Sequence, residues 1–210
     1  MRNNYRLVLA SSSPRRKEIL EKAGFSIEIV DPGEVESAIA DAPTPEALAI
    51  AKAQSKAMAV AALLTPPYPA IVIGADTLVA LDDDILGKPL DRFDAISILT
   101  RLSGTRHRVI SGLCLWPVCC PPLAGMPPSS KVPRLDAVCT WVKMRRIGSD
   151  EIKAYVASGE SDGKAGAYAV QETGDRFVEK IEGSFLNVVG FPLERFQELL
   201  ARSANEWRMP

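Results

Sequence analysis

Residues 71–79 read IVIGADTLV, an apolar run rich in β-branched side chains that carries one carboxylate and one hydroxyl. Such a run predicts a buried strand. Gly74 allows a close approach to the backbone, and Asp76 brings a charge that must be paired, protonated or bound to metal in apolar surroundings. The turn Gly87-Lys88-Pro89 then adds a cation. This combination indicates a phosphate and metal site, and the alternative is a solvated strand end with an ordinary turn.

The composition is typical of a globular protein with one domain. Its 210 residues fall within the usual domain size, and a hydrophobic content of 47% suffices for a core. The net charge of -1 gives no reason to expect nucleic acid or a membrane surface as a partner. There is no apolar run long enough to span a membrane and no signal-peptide pattern at the start, so we expect a cytoplasmic protein.

The cysteines and the one histidine limit the available chemistry. Cys114, Cys119, Cys120 and Cys139 lack CxxC spacing, so we expect reduced thiols and neither a zinc site nor a disulfide framework. His107 is the single histidine, and we expect it to hold a turn by hydrogen bonds rather than to bind metal.

The first strand and helix predict an anion site. Residues 6–10 form a short apolar run, and residues 11–16 read SSSPRR. Ser13 suits the N-cap of a helix and Pro14 its first position. Free N–H groups at a helix N-terminus attract anions, and arginines in the first turn oppose the helix dipole unless an anion is present. A capped surface helix with basic residues is the alternative.

Two further segments supply acidic and basic candidates. Glu34 and Glu36 lie in an acidic turn after the second predicted strand and are either metal ligands or solvated. A long Ala-rich helix is predicted from Thr44 to about Leu64. Lys52 and Lys56 lie on one face of it and point either to a phosphate or to water.

Two loops complete the pattern. Residues 158–171 contain three glycines, two acids, Lys164 and Gln171, a composition typical of a functional loop. The stretch from Trp116 to Pro133 is rich in proline and predicts a surface loop.

Alternating short strands and helices predict an α/β fold with a central twisted sheet. The chain has neither a Walker A motif nor GxGxxG, which excludes a P-loop or Rossmann site. Its cations and acids, if they converge on one cleft, suit a triphosphate with a divalent metal. These residues are Arg15, Arg16, Lys52, Lys88, Lys164, Glu36 and Asp76.

The motifs together resemble the Maf family of nucleoside triphosphate pyrophosphatases. The matching blocks span nearly the whole chain in the family's order: residues 9–16 (LASSSPRR), 74–77 (GADT), 87–89 (GKP), 102–104 (LSG), 107–109 (HRV), 163–171 (GKAGAYAVQ), 181–184 (IEGS) and 187–193 (NVVGFPL). The resemblance implies a Maf/ITPase-like α/β fold in which helices flank a central twisted mixed sheet, with two lobes around a cleft. Residues 1–210 would form a single domain with a Pro-rich loop insertion at about 116–135.

The resemblance implies hydrolysis of a nucleoside triphosphate to the monophosphate and pyrophosphate by water attack at the α-phosphorus. Asp76 matches the family's proton acceptor, and Asp76 with Glu36 would bind Mg²⁺ or Mn²⁺. Because Ser37 follows Glu36 where relatives often have a second acid, Glu34 is a substitute ligand. The residues expected to bind phosphate are Ser11, Ser13, Arg16, Lys52, Lys88 and Lys164.

The substrate is also implied by the resemblance. Arg15, Thr77 and Gln171 match the dTTP/UTP subfamily, whereas the 7-methyl-GTP subfamily has an aromatic residue at the first position and Gln at the second. An amide suits the imide edge of uracil or thymine because it offers both a donor and an acceptor. The alternatives are broader or 7-methyl-GTP specificity, and a nucleotide-binding regulator of cell division or septum formation. A homodimer is compatible with the resemblance.

Overall fold

Strands and helices alternate along the chain, as the sequence predicts. The computed structural model describes residues 5–33, 35, 42–64, 69–118, 132–171 and 173–207. The elements are β1 (Arg6–Ala10), α1 (Pro14–Lys22), β2 (Ile27–Val30), α2 (Pro45–Leu63), β3 (Ala70–Leu81), β4 (Asp84–Leu86), α3 (Arg92–Leu102), β5 (Arg106–Val118), β6 (Arg134–Met144), α4 (Ser149–Ala157), β7 (Val178–Glu182), α5 (Phe185–Val189) and α6 (Leu193–Glu206), with 3-10 turns at Ala165–Ala167 and Thr173–Phe177.

The seven strands form one mixed sheet. Its order is β2-β1-β3-β5-β6-β7, and β4 pairs with β3. Strand β1 is parallel to both β2 and β3, whereas β4 is antiparallel to β3 and β7 is antiparallel to β6. The predicted α/β class with a mixed sheet and helices is confirmed.

The predicted Pro-rich loop falls mainly on residues 119–131, which lie outside the described residues together with Cys119 and Cys120. Strand β5 reaches Val118 and β6 begins at Arg134, so residues at both ends of the predicted 116–135 range belong to strands. In the described part of the chain, none of the helices has the length and apolar character needed to cross a membrane.

The chain divides into two compact units. Unit 1 comprises Met1–Asp76, Ser111–Val138 and Phe191–Pro210, and unit 2 comprises Thr77–Ile110 and Cys139–Gly190. In unit 1, buried side chains of β1, α2 and β3 form one cluster with Cys114 of β5. Helix α6 packs within unit 1 through Phe196, whose ring contacts that of Phe25 edge-on with centroids 5.3 Å apart.

Helix α2 of unit 1 lies unusually close to the sheet at two glycines. A Cβ atom at Gly74 of β3 would lie 2.0 Å from the carbonyl oxygen of Ala53, and one at Gly112 of β5 would lie 2.2 Å from that of Ala49. Thr44 begins the helix as predicted, since its side chain accepts a hydrogen bond from the Ala47 amide. The missing side chains at the two glycines therefore fix how deeply α2 packs.

Unit 2 has its own core, in which α3 packs against α4 and the rings of Tyr155 and Phe177 meet edge-on at 4.9 Å. His107 of β5 is fully buried in this unit, and its Nε2 lies 2.7 Å from the hydroxyl of Tyr168. Burial lowers the pKa of His107 from 6.5 to about 4 and raises that of Tyr168 above its usual range. His107 is therefore neutral in the folded protein at ordinary pH, and its hydrogen bond to the residue that follows the 3-10 turn Ala165–Ala167 agrees with the predicted role of holding a turn.

Gly112→Ala should lower the free energy of unfolding by about 2 kcal/mol or more, because its methyl group overlaps the α2 backbone. Gly87→Ala is the matched control, since no atom lies within 4 Å of its added Cβ, and a change within about 0.5 kcal/mol is expected. Urea denaturation measures both variants. Equal stabilities of the two variants would contradict the close packing of α2.

Acid should destabilise the protein through His107. Between pH about 6.5 and about 4 the unfolded state binds a proton that the folded state does not, so stability falls as the pH decreases. This one group contributes up to about 3 kcal/mol to that loss. The difference in the free energy of unfolding between the wild type and His107→Gln should therefore shrink as the pH is lowered from 7 to 4. A difference that stays constant over this pH range would contradict the prediction.

Candidate active site

The central feature of unit 1 is a buried ion pair. Asp76 of β3 and Lys56 of α2 are both nearly inaccessible to solvent, and Oδ1 of the aspartate lies 2.7 Å from Nζ of the lysine. Removing two charges from water is expensive, and such a pair seldom improves stability over an apolar pair of the same size. A buried, reactive carboxylate held by a cation is therefore a candidate catalytic group.

The fold brings this pair together through the close contact at Gly74. Ala53 and Ala57 of α2 pack directly on that glycine, and Lys56 lies beside them on the same helical face. Since Asp76 follows Gly74 by one full strand repeat, its side chain lies on the same face of the sheet as the position that the helix covers. Helix packing and strand alternation together place the ammonium over the carboxylate.

Lys56 meets Asp76, whereas the sequence left only a phosphate or water open as its partner. Lys52 is half-buried one turn earlier in α2, and its binding of phosphate stays a prediction. Sequence reasoning noted both lysines but did not choose Lys56. The signal was available, since Lys56 lies within the apolar stripe of Ala53, Ala57 and Val60, which predicts the buried face of the helix.

The predicted anion site at the start of α1 is organised around Ser11. Its Oγ accepts hydrogen bonds from the Ser13 amide and from the Arg16 guanidinium, each at 3.2 Å. Ser11 and Arg16 are buried, and Arg15 is half-buried. Ser13 occupies the N-cap position and Pro14 begins the helix, as predicted, although the Ser13 side chain makes no capping hydrogen bond. The first turn carries no acid to offset its two arginines.

Unit 2 carries the other predicted residues on two connected segments. The Gly166 amide donates to the Gly87 carbonyl oxygen at 3.1 Å, which joins the loop of Lys164 to the turn of Lys88. Lys88 and Gln171 are exposed, and Lys164 is half-buried.

Thr77 begins unit 2 directly after Asp76. Its Oγ1 donates to the Gly190 carbonyl oxygen at 3.2 Å, at the end of α5. The hydroxyl proton of Thr77 is therefore used in a contact within the protein. Its predicted role in specificity stays a prediction.

Of the predicted metal ligands, only Asp76 lies in the part of the chain that the structure describes. Glu34 and Glu36 lie outside the described residues, and within the described part of the chain there is no group of three His, Cys, Asp or Glu side chains suited to a metal. The carboxylate of Asp76 nevertheless fits a hard cation such as Mg²⁺, which proteins commonly hold through one or two carboxylates together with substrate phosphates. The available donor thus suits a metal that arrives with its substrate.

Two solved structures resemble this chain weakly. A HAM1 protein from Coxiella burnetii is 18% identical, with a TM-score of 0.45 over 94% of this chain and 99% of that one. A nucleoside-triphosphatase / dITP/XTP pyrophosphatase from Mycobacterium abscessus is 12% identical, with a TM-score of 0.41 over 95% and 98% of the two chains. These TM-scores are too low to establish a common fold.

Comparison of sequences finds relatives with much higher identity. A dTTP/UTP pyrophosphatase from Ruminiclostridium cellulolyticum is 40% identical over 96% of both chains. Another protein of that name, from Anaeromyxobacter sp. (strain Fw109-5), is 41% identical over 98% of this chain and 94% of its own. The family model described as Maf-like protein matches residues 6–203. The resemblance drawn from the motifs is thus confirmed, and the chain belongs to the Maf family.

Proposed function

We propose that this chain hydrolyses dTTP and UTP to the monophosphate and pyrophosphate. The observation that carries the proposal is the buried pair of Asp76 and Lys56, with a separation of 2.7 Å. The names of relatives about 40% identical over nearly the full chain support the reaction and the substrates.

Asp76 is the proposed general base. Lys56 holds Oδ1 of the carboxylate, and Oδ2 accepts a proton from the attacking water. The water oxygen forms a bond to the α-phosphorus as the bond from that phosphorus to the bridging oxygen of the β-phosphate breaks. The leaving group is pyrophosphate, and the products are one nucleoside monophosphate and one pyrophosphate.

The start of α1 is the proposed phosphate site of unit 1. Charge moves onto the leaving pyrophosphate during the reaction, and preorganised cations and N–H groups stabilise it. Arg16 is held in place by Ser11, so its guanidinium loses little freedom when it binds an anion. The other proposed phosphate ligands of this unit are Ser13 and Lys52.

In unit 2, Lys88 and Lys164 are proposed phosphate ligands, and Gln171 is proposed to read the base. Gln171 is exposed, so its amide can meet a ligand, and the uracil edge requires one donor and one acceptor. Thr77 of this unit and Arg15 of unit 1 complete the proposed specificity set.

We propose Mg²⁺ or Mn²⁺ as the cofactor, held by Asp76 and Glu36 together with the substrate phosphates. When bound, such an ion neutralises phosphate charge and acidifies a coordinated water. Removal of divalent ions with a chelator should abolish turnover.

Replacing the proposed base should abolish turnover and spare binding. Asp76→Asn should reduce kcat for UTP by about 10²–10⁴-fold, the usual contribution of a general base. Anion-exchange analysis of the products from UTP, dTTP, GTP and 7-methyl-GTP measures the reaction, and calorimetry measures UTP binding. The double variant Asp76→Asn/Lys56→Met is the control for a buried lysine that has lost the Asp76 carboxylate, and it should fold and remain inactive.

The outcomes separate the alternatives. Diphosphate with orthophosphate would show attack at the γ-phosphorus and overturn the mechanism. Binding of UTP without turnover by the wild type would favour a nucleotide-binding regulator. Faster hydrolysis of GTP or 7-methyl-GTP than of UTP would overturn the proposed specificity.

The two lysines of α2 provide a matched comparison. Lys56→Met removes the partner of the buried carboxylate and should lower kcat by about 100-fold or more, whereas Lys52→Met should lower it by about 10-fold or less. Circular dichroism and thermal unfolding check that both variants fold. A larger loss for Lys52→Met would assign the reacting site to Lys52 instead.

A further inference from the structure

The loop of unit 2 that carries Lys164 and Gln171 contains a buried aromatic side chain, Tyr168, at its centre. The ring of Tyr168 meets the ring of His107 edge-on at 5.5 Å with an interplanar angle of 86°. Its hydroxyl lies 2.7 Å from His107 Nε2, and both residues are buried. This contact fixes the middle of the loop to strand β5.

The histidine depends on this one contact. Among the described residues, His107 Nδ1 has no hydrogen-bond partner although it is buried. The hydrogen bond through Nε2 is therefore the polar contact that orients the imidazole. A buried pair of this kind, each group partnered by the other, sets a specific geometry because any displacement leaves both groups unsatisfied.

The backbone before Tyr168 requires such an anchor. Gly166 has a φ of 70° and Ala167 a φ of 58°, and a residue with a side chain adopts such an angle only when its surroundings impose it. The Ala167 side chain is fully buried, and the Gly166 amide is bonded to the Gly87 carbonyl oxygen. Tyr168 and the Gly87 turn thus hold this left-handed bend from both sides.

Glu160 holds the ends of the loop. Its carbonyl oxygen accepts a hydrogen bond from Lys164 Nζ, and its carboxylate accepts hydrogen bonds from the amide and hydroxyl of Thr173. Gln171 lies in the chain between Tyr168 and Thr173, directly after the buried Val170, so buried side chains on one side and an exposed hydrogen bond on the other set its position. Water competes for the exposed hydrogen bonds of Glu160, so the buried contacts contribute more to the position of the loop.

We propose that His107 and Tyr168 are positioning residues for nucleotide recognition, which hold the loop so that Gln171 meets the base and Lys164 meets a phosphate of a pyrimidine nucleoside triphosphate. The inference rests on the proposed function. Neither residue touches substrate in this proposal, and both act through the loop.

Tyr168→Phe tests the proposal because it keeps the ring and removes the hydroxyl. The KM for UTP should rise by about 5- to 10-fold, the effect of one lost buried hydrogen bond, whereas kcat should change by less than about 2-fold. The ratio of kcat/KM for UTP to that for GTP should fall as well, because a displaced Gln171 no longer selects uracil. A role in stability alone would leave this ratio unchanged.

Two further variants isolate the effect. In a Gln171→Ala background, Tyr168→Phe should no longer change the UTP-to-GTP ratio, because coupled residues are not additive. Ser203→Ala removes another buried hydroxyl, which donates to the Leu199 carbonyl oxygen within α6 of unit 1. That control should leave the KM for UTP and the ratio unchanged.

Calorimetric binding of UTP and GTP to the same variants separates failure of this inference from failure of the proposed function. If the wild type binds UTP without releasing pyrophosphate, the reaction is wrong and the binding ratio still tests the loop. An unchanged UTP-to-GTP ratio in Tyr168→Phe, or an equal additional effect in the Gln171→Ala background, overturns the inference. Absence of both binding and turnover in the wild type overturns both proposals.

Discussion

The close contact between α2 and β3 is the constraint on which unit 1 depends. Gly74 has no side chain, so the carbonyl oxygen of Ala53 occupies the space where a Cβ would lie, only 2.0 Å from its ideal position. That contact fixes both the height and the rotation of the helix over the sheet. Lys56 and Asp76 meet only because the helix lies this low and presents this face.

The energetic cost of the resulting pair indicates function. Two buried charges lose hydration that their mutual attraction offsets only with good geometry, and an apolar pair would serve stability equally well. The start of α1 presents a related situation, since Ser11 holds Arg16 in a first helical turn that contains two arginines and no acid. Both features hold charged side chains in fixed positions. Such preorganised charges suit an anionic substrate whose charge shifts during the reaction.

The centre of the loop in unit 2 is held by neutral contacts. A backbone hydrogen bond links Gly166 with Gly87, and the pair of Tyr168 and His107 is uncharged because burial lowers the pKa of the imidazole to about 4. These neutral contacts hold the loop of Lys164 and Gln171 and add no charge of their own. Unit 1 thus holds a buried carboxylate paired with a lysine, and unit 2 holds the loop of Lys164 and Gln171 through buried contacts.

The sequence by itself determined the α/β class, the buried strand with Asp76, the helix that begins at Thr44 and the family, because periodicity, capping and ordered motifs are local properties. Only the tertiary structure decided that Lys56 rather than Lys52 meets Asp76, that Ser11 rather than Ser13 uses its side chain at α1, and that His107 pairs with Tyr168. Two of these choices depend on contacts between distant segments. A local pattern fixes that a helix forms, but its rotation over the sheet is set by what it packs against, here the bare backbone at Gly74.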